Sequence, residues 1–254
     1  MKQPHTTAGR SRLDELLVQR GLFATRSRAR DAVERGTVSV GGLTATKPGL
    51  AVAEDAPIAV DDPARSYVSR AALKLIAGLD AFSIDPAGRL ALDIGASTGG
   101  FTQVLLERGA SHVIALDVGH GQIDPGLRSD PRVTVIEGLN ARDLREEHLG
   151  GLRPELLVSD VSFISLTLAL PPALGLAAPG AAGVFLVKPQ FEAGREAIGK
   201  GGLLRDPQEA PRVAERLRSW LDAYPGWRST GLIASPIEGG DGNREFLLAG
   251  TKDR

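Results

Sequence analysis

The chain has no cysteine among its 254 residues. Disulfide frameworks and zinc sites that use cysteine thiolates are therefore excluded. Its four histidines stand far apart, without the short spacing typical of histidine metal ligands. The sequence predicts no metal site.

Long hydrophobic runs are also missing. The most apolar stretch, residues 156–187, is interrupted by an aspartate, by prolines and by glycines, which excludes a membrane-spanning helix there. The first residues lack the apolar core of a signal peptide. We therefore expect a cytoplasmic protein.

Lysine is scarce, since the chain contains six lysines and 24 arginines. One of the six, Lys188, directly follows the apolar run 181–187, which predicts a strand. Arginine cannot lose its proton in practice, so a lysine at this place suggests a need for a titratable amine. The alternative is an ordinary surface lysine.

The net charge of −1 conceals an asymmetry. Residues 1–50 carry a net charge of +5, and the remaining residues carry −6. A basic end on an acidic body indicates that the small end meets an anionic partner.

Residues 90–101 predict a strand, a glycine-rich turn and the start of a helix. Asp93 disfavours a phosphate at this turn, and the glycine spacing matches neither a dinucleotide fingerprint nor a P-loop. A carboxylate beside a glycine loop suits a ligand with an amine and a sulfonium, namely S-adenosylmethionine (SAM). A βα turn without a ligand is the alternative. The candidate cofactor-binding residues are Asp93, Gly95, Ala96, Ser97, Gly99, Gly100 and Phe101.

A second acid, Asp117, ends the next predicted strand, about 20 residues after the glycine loop. Nucleotide-binding folds place an acid there to hold ribose hydroxyls, although a surface acid at a strand end is the alternative. Asn140 follows the third strand and is a candidate for contacts near the adenine, or part of a plain loop. Asp160 ends the fourth strand and is a further candidate cofactor ligand.

The basic end predicts two short helices followed by short strands. Its motifs resemble those of the S4 RNA-binding domain: Arg12-Leu-Asp-Glu-Leu-Leu, Gly21-Leu, Ser27-Arg-Ala-Arg and Gly36-Thr-Val-Ser-Val-Gly-Gly. The resemblance implies that Arg12, Arg26, Arg28 and Lys47 face RNA, and phosphate contacts do require such residues. A module that docks on another protein is the alternative.

The order Lys74, Asp160, Lys188, Glu245 is similar to the Lys-Asp-Lys-Glu order of FtsJ-like ribose 2′-O-methyltransferases. Longer motifs resemble one branch, the TlyA family, also labelled hemolysin A, which joins an S4 domain to an FtsJ-like domain. These motifs are Arg70-Ala-Ala-Leu-Lys74-Leu, Asp93-Ile-Gly-Ala-Ser-Thr-Gly-Gly-Phe-Thr102, Ser159-Asp-Val-Ser-Phe-Ile-Ser165, Leu186-Val-Lys-Pro-Gln-Phe-Glu192, Gly199-Lys-Gly-Gly202 and Gly242-Asn-Arg-Glu-Phe246. The chain departs from some members at Arg65-Ser-Tyr-Val68, where they carry Arg-Ala-Trp-Val.

This resemblance implies a fold and a domain order. We expect a disordered extension over residues 1–9, an S4-like α+β domain over 10–62, a linker over 63–68 and a methyltransferase domain over 69–254. The strand–helix alternation after residue 69 predicts a mostly parallel sheet with helices on both faces, and the last two strands could form a hairpin. The family implies seven strands in a Rossmann-like class I methyltransferase fold.

The resemblance also implies an activity, SAM-dependent methylation of cytidine ribose in 16S or 23S ribosomal RNA, or both. Lys188 would act as the general base, with its pKa lowered by burial or by Lys74 nearby. Asp160 would orient Lys188, while Lys74 and Glu245 would position the hydroxyl. Three alternatives remain open: a membrane-active cytolysin, an RNA- and SAM-binding protein without chemistry, and a base methyltransferase.

Overall fold

The computed structural model describes residues 9–240 and 242–253, so most of the extension predicted to be disordered lies outside the described residues. The chain divides into two compact units, residues 1–66 and 67–254. The division falls within the segment predicted to be the linker, and each unit has a hydrophobic core of its own.

The first unit is a small α+β domain. Two helices pack on two short antiparallel sheets, one formed by β1 and β4 and the other in the order β3-β2-β5. Apolar side chains of both helices, such as Leu13, Leu17 and Val33, form its buried core. Its elements are β1 (Arg10–Arg12), α1 (Leu13–Gln19), α2 (Arg26–Glu34), β2 (Val38–Val40), β3 (Leu43–Ala45), β4 (Ala51–Ala53) and β5 (Ile58–Val60).

The second unit contains a seven-stranded sheet, as predicted. Its helices are α3 (Ala72–Ala81), α4 (Gly100–Glu107), α5 (Pro125–Arg128), α6 (Leu166–Ala169), α7 (Pro171–Leu176) and α8 (Glu209–Ala223). Its strands are β6 (Leu90–Ile94), β7 (His112–Asp117), β8 (Val133–Glu137), β9 (Leu156–Ser159), β10 (Ala182–Val187), β11 (Trp227–Ala234) and β12 (Phe246–Lys252).

The strand order is β11-β12-β10-β9-β6-β7-β8. Neighbouring strands are parallel from β10 to β8, whereas β12 runs antiparallel to both β10 and β11, so the predicted late hairpin is confirmed. The order reverses at β6, which lies between β7 and β9. In open α/β sheets, the ligand crevice lies outside the carboxyl ends of the strands at such a reversal.

Side chains alternate between the two faces of the sheet because the period of a strand is two residues. Leu92 and Ile94 belong to the core cluster that includes α6, α7 and α8, whereas Ala91 belongs to the cluster that includes α3 and α4. Asp93 has the parity of Ala91, so its carboxylate points towards α4. Glu245, one residue before β12, has the parity of Leu247 and points towards α3.

Two local predictions were wrong. The mostly apolar run 163–176 predicts one packed helix interrupted by Pro171 and Pro172, but α6 begins only at Leu166, and Phe163 is 90% exposed with φ of +63°. The apolar positions 72, 73, 76 and 79 form one face of the helix predicted over 69–79 and leave Lys74 off that face, which predicts an exposed lysine, but α3 buries Lys74 beside Leu75 and Leu79. An apolar-periodicity argument cannot place a buried lysine, because burial of its ammonium depends on a partner elsewhere in the chain.

Candidate active site

Two adjoining cavities lie at the carboxyl ends of β6, β7, β9 and β10. The larger one has a volume of about 540 Å³, within the range of ligand sites, and the smaller one has about 140 Å³. Both are lined by Gly95, Ser97, Asp160 and Ser162. A ligand could therefore extend from one cavity into the other past these four residues.

The glycine loop after β6 borders both cavities. Gly95 has φ of +85°, and a Cβ there would lie 2.9 Å from the carbonyl oxygen of Asp160, so only glycine lets the loop approach β9 this closely. Gly99 has φ of +97°, and a Cβ there would overlap Leu127. The smaller cavity is lined by loop residues that were predicted to bind the cofactor: Gly95, Ala96, Ser97, Gly100 and Phe101.

Asp117 and Asn140 line the larger cavity, as their predicted roles require. Asp117 accepts hydrogen bonds from the backbone N–H groups of Ser97, at 2.8 Å, and Gly119, at 2.7 Å. These bonds fix the carboxylate and leave a second lone pair on each oxygen for a ligand. The side-chain oxygen of Asn140 accepts a hydrogen bond from the N–H of Arg142, which orients the amide.

Asp93 is fully buried beneath the glycine loop and does not line either cavity. Thr102 Oγ1 donates to its Oδ2 at 2.7 Å, while Oδ1 has no hydrogen-bond partner. Burial raises the pKa of Asp93 to about 7, opposed by the Thr102 hydrogen bonds and reinforced by the nearby carboxylates of Asp160 and Asp117. A buried, unpartnered carboxylate oxygen is costly unless a cation or a water compensates it.

The four residues of the Lys-Asp-Lys-Glu order form two ion pairs. Lys188 Nζ lies 2.6 Å from Asp160 Oδ1 and donates a hydrogen bond to Ser162 Oγ at 2.8 Å. Lys74 Nζ lies 2.5 Å from Glu245 Oε2, with 6% and 2% of the two side chains exposed. Lys188 and Asp160 line the smaller cavity, whereas Lys74 and Glu245 do not line either cavity.

Several residues of the site were missed by the sequence argument. Phe163 lines the larger cavity, and its ring contacts Phe191 with centroids 5.0 Å apart. The Ser97 hydroxyl lies 3.2 Å from Gln122 Oε1, so Gln122 borders the same loop. The Ser159–Ser165 motif contained Ser162 and Phe163, but neither is charged, so strand-end charges did not single them out. The remaining missed residues of the larger cavity are Leu116, Val118, Leu139, Ala141, Val161 and Ile164, and those of the smaller cavity are Ser69, Ala71 and Thr98.

The first unit organises its basic residues around a buried acid. Asp14 is fully buried and accepts hydrogen bonds from Arg12 and from Arg26 at 2.9–3.1 Å. Burial alone would raise the pKa of Asp14, but these hydrogen bonds outweigh it and hold the pKa below its usual value. The side chains of Arg12 and Arg26 stay about half exposed, so part of each guanidinium faces solvent.

The other two predicted RNA-binding residues lie in different surroundings. Lys47 is exposed on the turn before β4. Arg28 donates to the backbone carbonyls of Ala64 and Arg65 at 3.3 and 3.1 Å. These bonds hold Arg28 against the end of its own unit and use part of its donor capacity.

Two classes of site are absent from the part of the chain that the structure describes. No group of three or more histidine, aspartate or glutamate side chains there has the arrangement needed to hold a metal ion. No helix over residues 9–240 or 242–253 is long and apolar enough to cross a membrane.

The sheet order, its reversed strand and the acid-lined crevice at the switch point define a Rossmann-like class I methyltransferase fold. The chain belongs to the FtsJ-like methyltransferase family, whose sequence profile matches residues 67–252. The S4 domain profile matches residues 11–58. Both domain resemblances drawn from the motifs are thereby confirmed.

Similar proteins align with nearly the whole chain. TlyA of Mycobacterium tuberculosis, named a 16S/23S rRNA (cytidine-2′-O)-methyltransferase, is 49% identical over 95% of this chain and 90% of its own length. Hemolysin A of Brachyspira hyodysenteriae is 40% identical over 93% of this chain and 98% of its own length. A solved structure of a hemolysin-named protein from Streptococcus thermophilus is 39% identical, has a TM-score of 0.75, and covers 97% of this chain and 90% of that chain.

Proposed function

We propose that this protein uses SAM to methylate the 2′-hydroxyl of a cytidine in ribosomal RNA. The observation that carries the proposal is the lysine amine of Lys188, which lines the smaller cavity at the switch point of a methyltransferase fold and is paired with Asp160, an acid that lines both cavities. The activity that the similar M. tuberculosis protein is named for supports the same substrate class. An enzyme with this substrate is expected in the cytoplasm.

The residues around the cavities fit SAM. The Asp117 carboxylate would hold the ribose hydroxyls, Asn140 would contact the adenine, and Leu116 and Leu139 offer apolar surface to that ring. The glycine loop would hold the methionine part in the smaller cavity, above the unpartnered Asp93 oxygen, which favours a cationic ligand nearby. Bound SAM supplies a methyl group on a sulfonium, and the sulfur keeps the bonding electron pair when the methyl leaves.

Lys188 is the proposed general base. In its neutral form, Nζ accepts the proton that the 2′-oxygen loses as this oxygen bonds to the methyl carbon. The Asp160 carboxylate, 2.6 Å away, stabilises the ammonium as it forms. Alignment of the hydroxyl with the donor would supply much of the remaining acceleration.

The other ion pair has a supporting role in the proposal. Lys74 and Glu245 are buried against each other, so they hold α3 and the start of β12 in place beside the site. Phe163 offers an exposed aromatic face at the rim of the larger cavity. Unstacked RNA bases commonly stack on such faces, so we assign Phe163 to the base of the target nucleotide.

The first unit is proposed to recruit RNA through Arg12, Arg26, Arg28 and Lys47. Replacing Arg12 and Arg26 with alanine should weaken RNA binding and reduce the slope of its salt dependence by about 0.7–0.9 for each phosphate that is no longer neutralised. SAM affinity should not change. A truncated chain of residues 63–254 that methylates ribosomal RNA as fast as the whole chain would contradict this role.

Nucleoside analysis tests the proposed function directly. The protein is incubated with methyl-labelled SAM and purified small or large ribosomal subunits, and the RNA is then digested to nucleosides. The expected product is 2′-O-methylcytidine. Label on a base nitrogen or carbon would show that the protein is a base methyltransferase and would contradict the proposal. RNA that binds to the protein but carries no label would show that the protein binds RNA without catalysing methylation.

A further inference from the structure

Ser162 belongs to the reaction site by position, although no charge marks it in the sequence. It follows β9 two residues after Asp160, is exposed, and lines both cavities. Its Oγ accepts a hydrogen bond of 2.8 Å from Lys188 Nζ. Within residues 9–240 and 242–253, no other hydrogen-bond acceptor engages that amine.

Asp160 contacts the same amine in a different way. Its Oδ1 lies 2.6 Å from Nζ, well within ion-pair distance, yet Oδ1 has no hydrogen-bond partner. An ion pair depends mainly on distance, whereas a hydrogen bond also fixes direction. Asp160 therefore stabilises the charged form of the Lys188 amine, and Ser162 fixes the direction of that amine.

We propose that Ser162 is a positioning residue that aims the lone pair of Lys188 at the 2′-hydroxyl of the substrate. This inference rests on the proposed role of Lys188 as the base. A neutral lysine amine has two N–H bonds and one lone pair. With one N–H directed to Ser162 Oγ and the other on the Asp160 side, the lone pair faces the smaller cavity that Lys188 lines.

The proton transfer balances in this arrangement. The 2′-oxygen loses its proton to Nζ, which becomes an ammonium that still donates to Ser162 and lies beside Asp160. A hydroxyl accepts more strongly from an ammonium than from an amine, so Ser162 also stabilises the product of the transfer. The serine itself neither gains nor loses a proton.

The test uses Ser162→Ala, with Ser162→Thr as the variant that keeps the hydroxyl. Ser162 is exposed, so neither change disturbs the core. In single-turnover assays at saturating SAM and RNA, Ser162→Ala should lower the rate by about 10- to 100-fold, as for loss of a charge-assisted hydrogen bond. The affinities for SAM and RNA should stay at their wild-type values, and Ser162→Thr should restore most of the rate.

The pH–rate profile distinguishes a lost hydrogen bond to Lys188 from general damage to the loop that carries Ser162. Removal of the hydroxyl disfavours the ammonium, so the acidic limb of the Ser162→Ala profile should move to lower pH. Asp93, Asp117, Asp160 and the Lys74–Glu245 pair, the other charged groups of the site, are unchanged in this variant. The matched control is Ser165→Ala in the same loop, because the Ser165 hydroxyl donates to Glu192 instead, and its acidic limb should not move.

The inference would be overturned if Ser162→Ala reacted at the wild-type rate. It would also be overturned if Ser162→Thr were as slow as Ser162→Ala and the acidic limb of the pH–rate profile did not move. Lys188→Arg distinguishes this failure from failure of the proposed function. If Lys188→Arg is inactive while Ser162→Ala is normal, Lys188 remains the base and only the role of Ser162 is wrong. If Lys188→Arg is normal, the proposed mechanism itself fails.

Discussion

The two ion pairs of the methyltransferase unit have the same chemistry in different surroundings. Lys74 and Glu245 are 6% and 2% exposed and are directed into the core, 2.5 Å apart. Lys188 and Asp160 are 12% and 17% exposed, 2.6 Å apart, and line a cavity. The two pairs therefore do not differ in distance, but they differ in access to a ligand.

Burial also changes what each pair contributes to stability. A buried ion pair gains little over apolar packing, but removal of one partner leaves an uncompensated charge in a medium of low dielectric constant. A pair that borders a water-accessible cavity loses less when one partner is removed, because water solvates the remaining charge. We therefore expect changes at Lys74 to appear mainly as reduced stability and changes at Lys188 mainly as reduced turnover.

The largest expected effect is that of Lys188→Arg. This change keeps the positive charge beside Asp160 but removes an accessible neutral form. Turnover should fall by about 10²–10⁴-fold while SAM and RNA still bind. Single-turnover assays with both ligands saturating measure this effect, and a rate near that of the wild type would remove Lys188 from the base role.

Lys74→Met tests the contribution of the buried Lys74–Glu245 ion pair to stability. The free energy of unfolding should fall by about 3–5 kcal/mol, because Glu245 is left buried without a cation. Urea denaturation followed by tryptophan fluorescence reports on this unit, since both tryptophans, Trp220 and Trp227, lie in it. The double variant Lys74→Met/Glu245→Gln should recover much of the lost free energy of unfolding. If Lys74→Met alone loses less than about 1 kcal/mol, the pair contributes no more to stability than an exposed ion pair does.

Asp117→Ala extends the comparison to an acid that is held by backbone N–H groups rather than by a lysine. SAM affinity should fall by about 1.5–3 kcal/mol, the typical contribution of a hydrogen bond to a charged acceptor. Isothermal titration calorimetry measures the change. Unchanged affinity would show that the larger cavity does not hold the ribose.

Asp93 is an acid with neither a lysine nor solvent to stabilise its charge. Its folded-state pKa of about 7 lies above the ordinary 3.8, so the folded protein binds more protons than the unfolded chain between these values. Stability should therefore fall as pH rises from about 4 to about 7 and level off above the folded-state pKa. From about pH 6 to about pH 8, the loss from this one group should be about 1.4 kcal/mol.

Asp93→Asn removes this titration and provides the control. The difference in unfolding free energy between the variant and the wild type should grow in favour of the variant as pH rises, in urea denaturation without SAM. Parallel pH curves for the two proteins would mean that Asp93 does not titrate in this range.

The elements of the sheet were predictable because their apolar runs are short and bounded by turn residues. The run that ends at Ile94 and the run that ends at Val187 became β6 and β10 at nearly the predicted bounds. The prediction failed over 163–176, where apolar side chains face the helix layer, a cavity rim and solvent in turn. Hydrophobicity alone does not distinguish these three surroundings.

The sequence by itself determined the fold class, the two domains and the residue types available at the strand ends. Strand parity and strand order then placed Glu245 against Lys74 and Asp160 against Lys188, which are contacts between residues far apart in the chain. Only the tertiary structure decided which lysine is buried and which faces a cavity, and it brought Ser162 to the amine of Lys188. The physical reason is that burial and hydrogen-bond direction depend on neighbours from other elements, whereas local patterns report only the periodicity of a single segment.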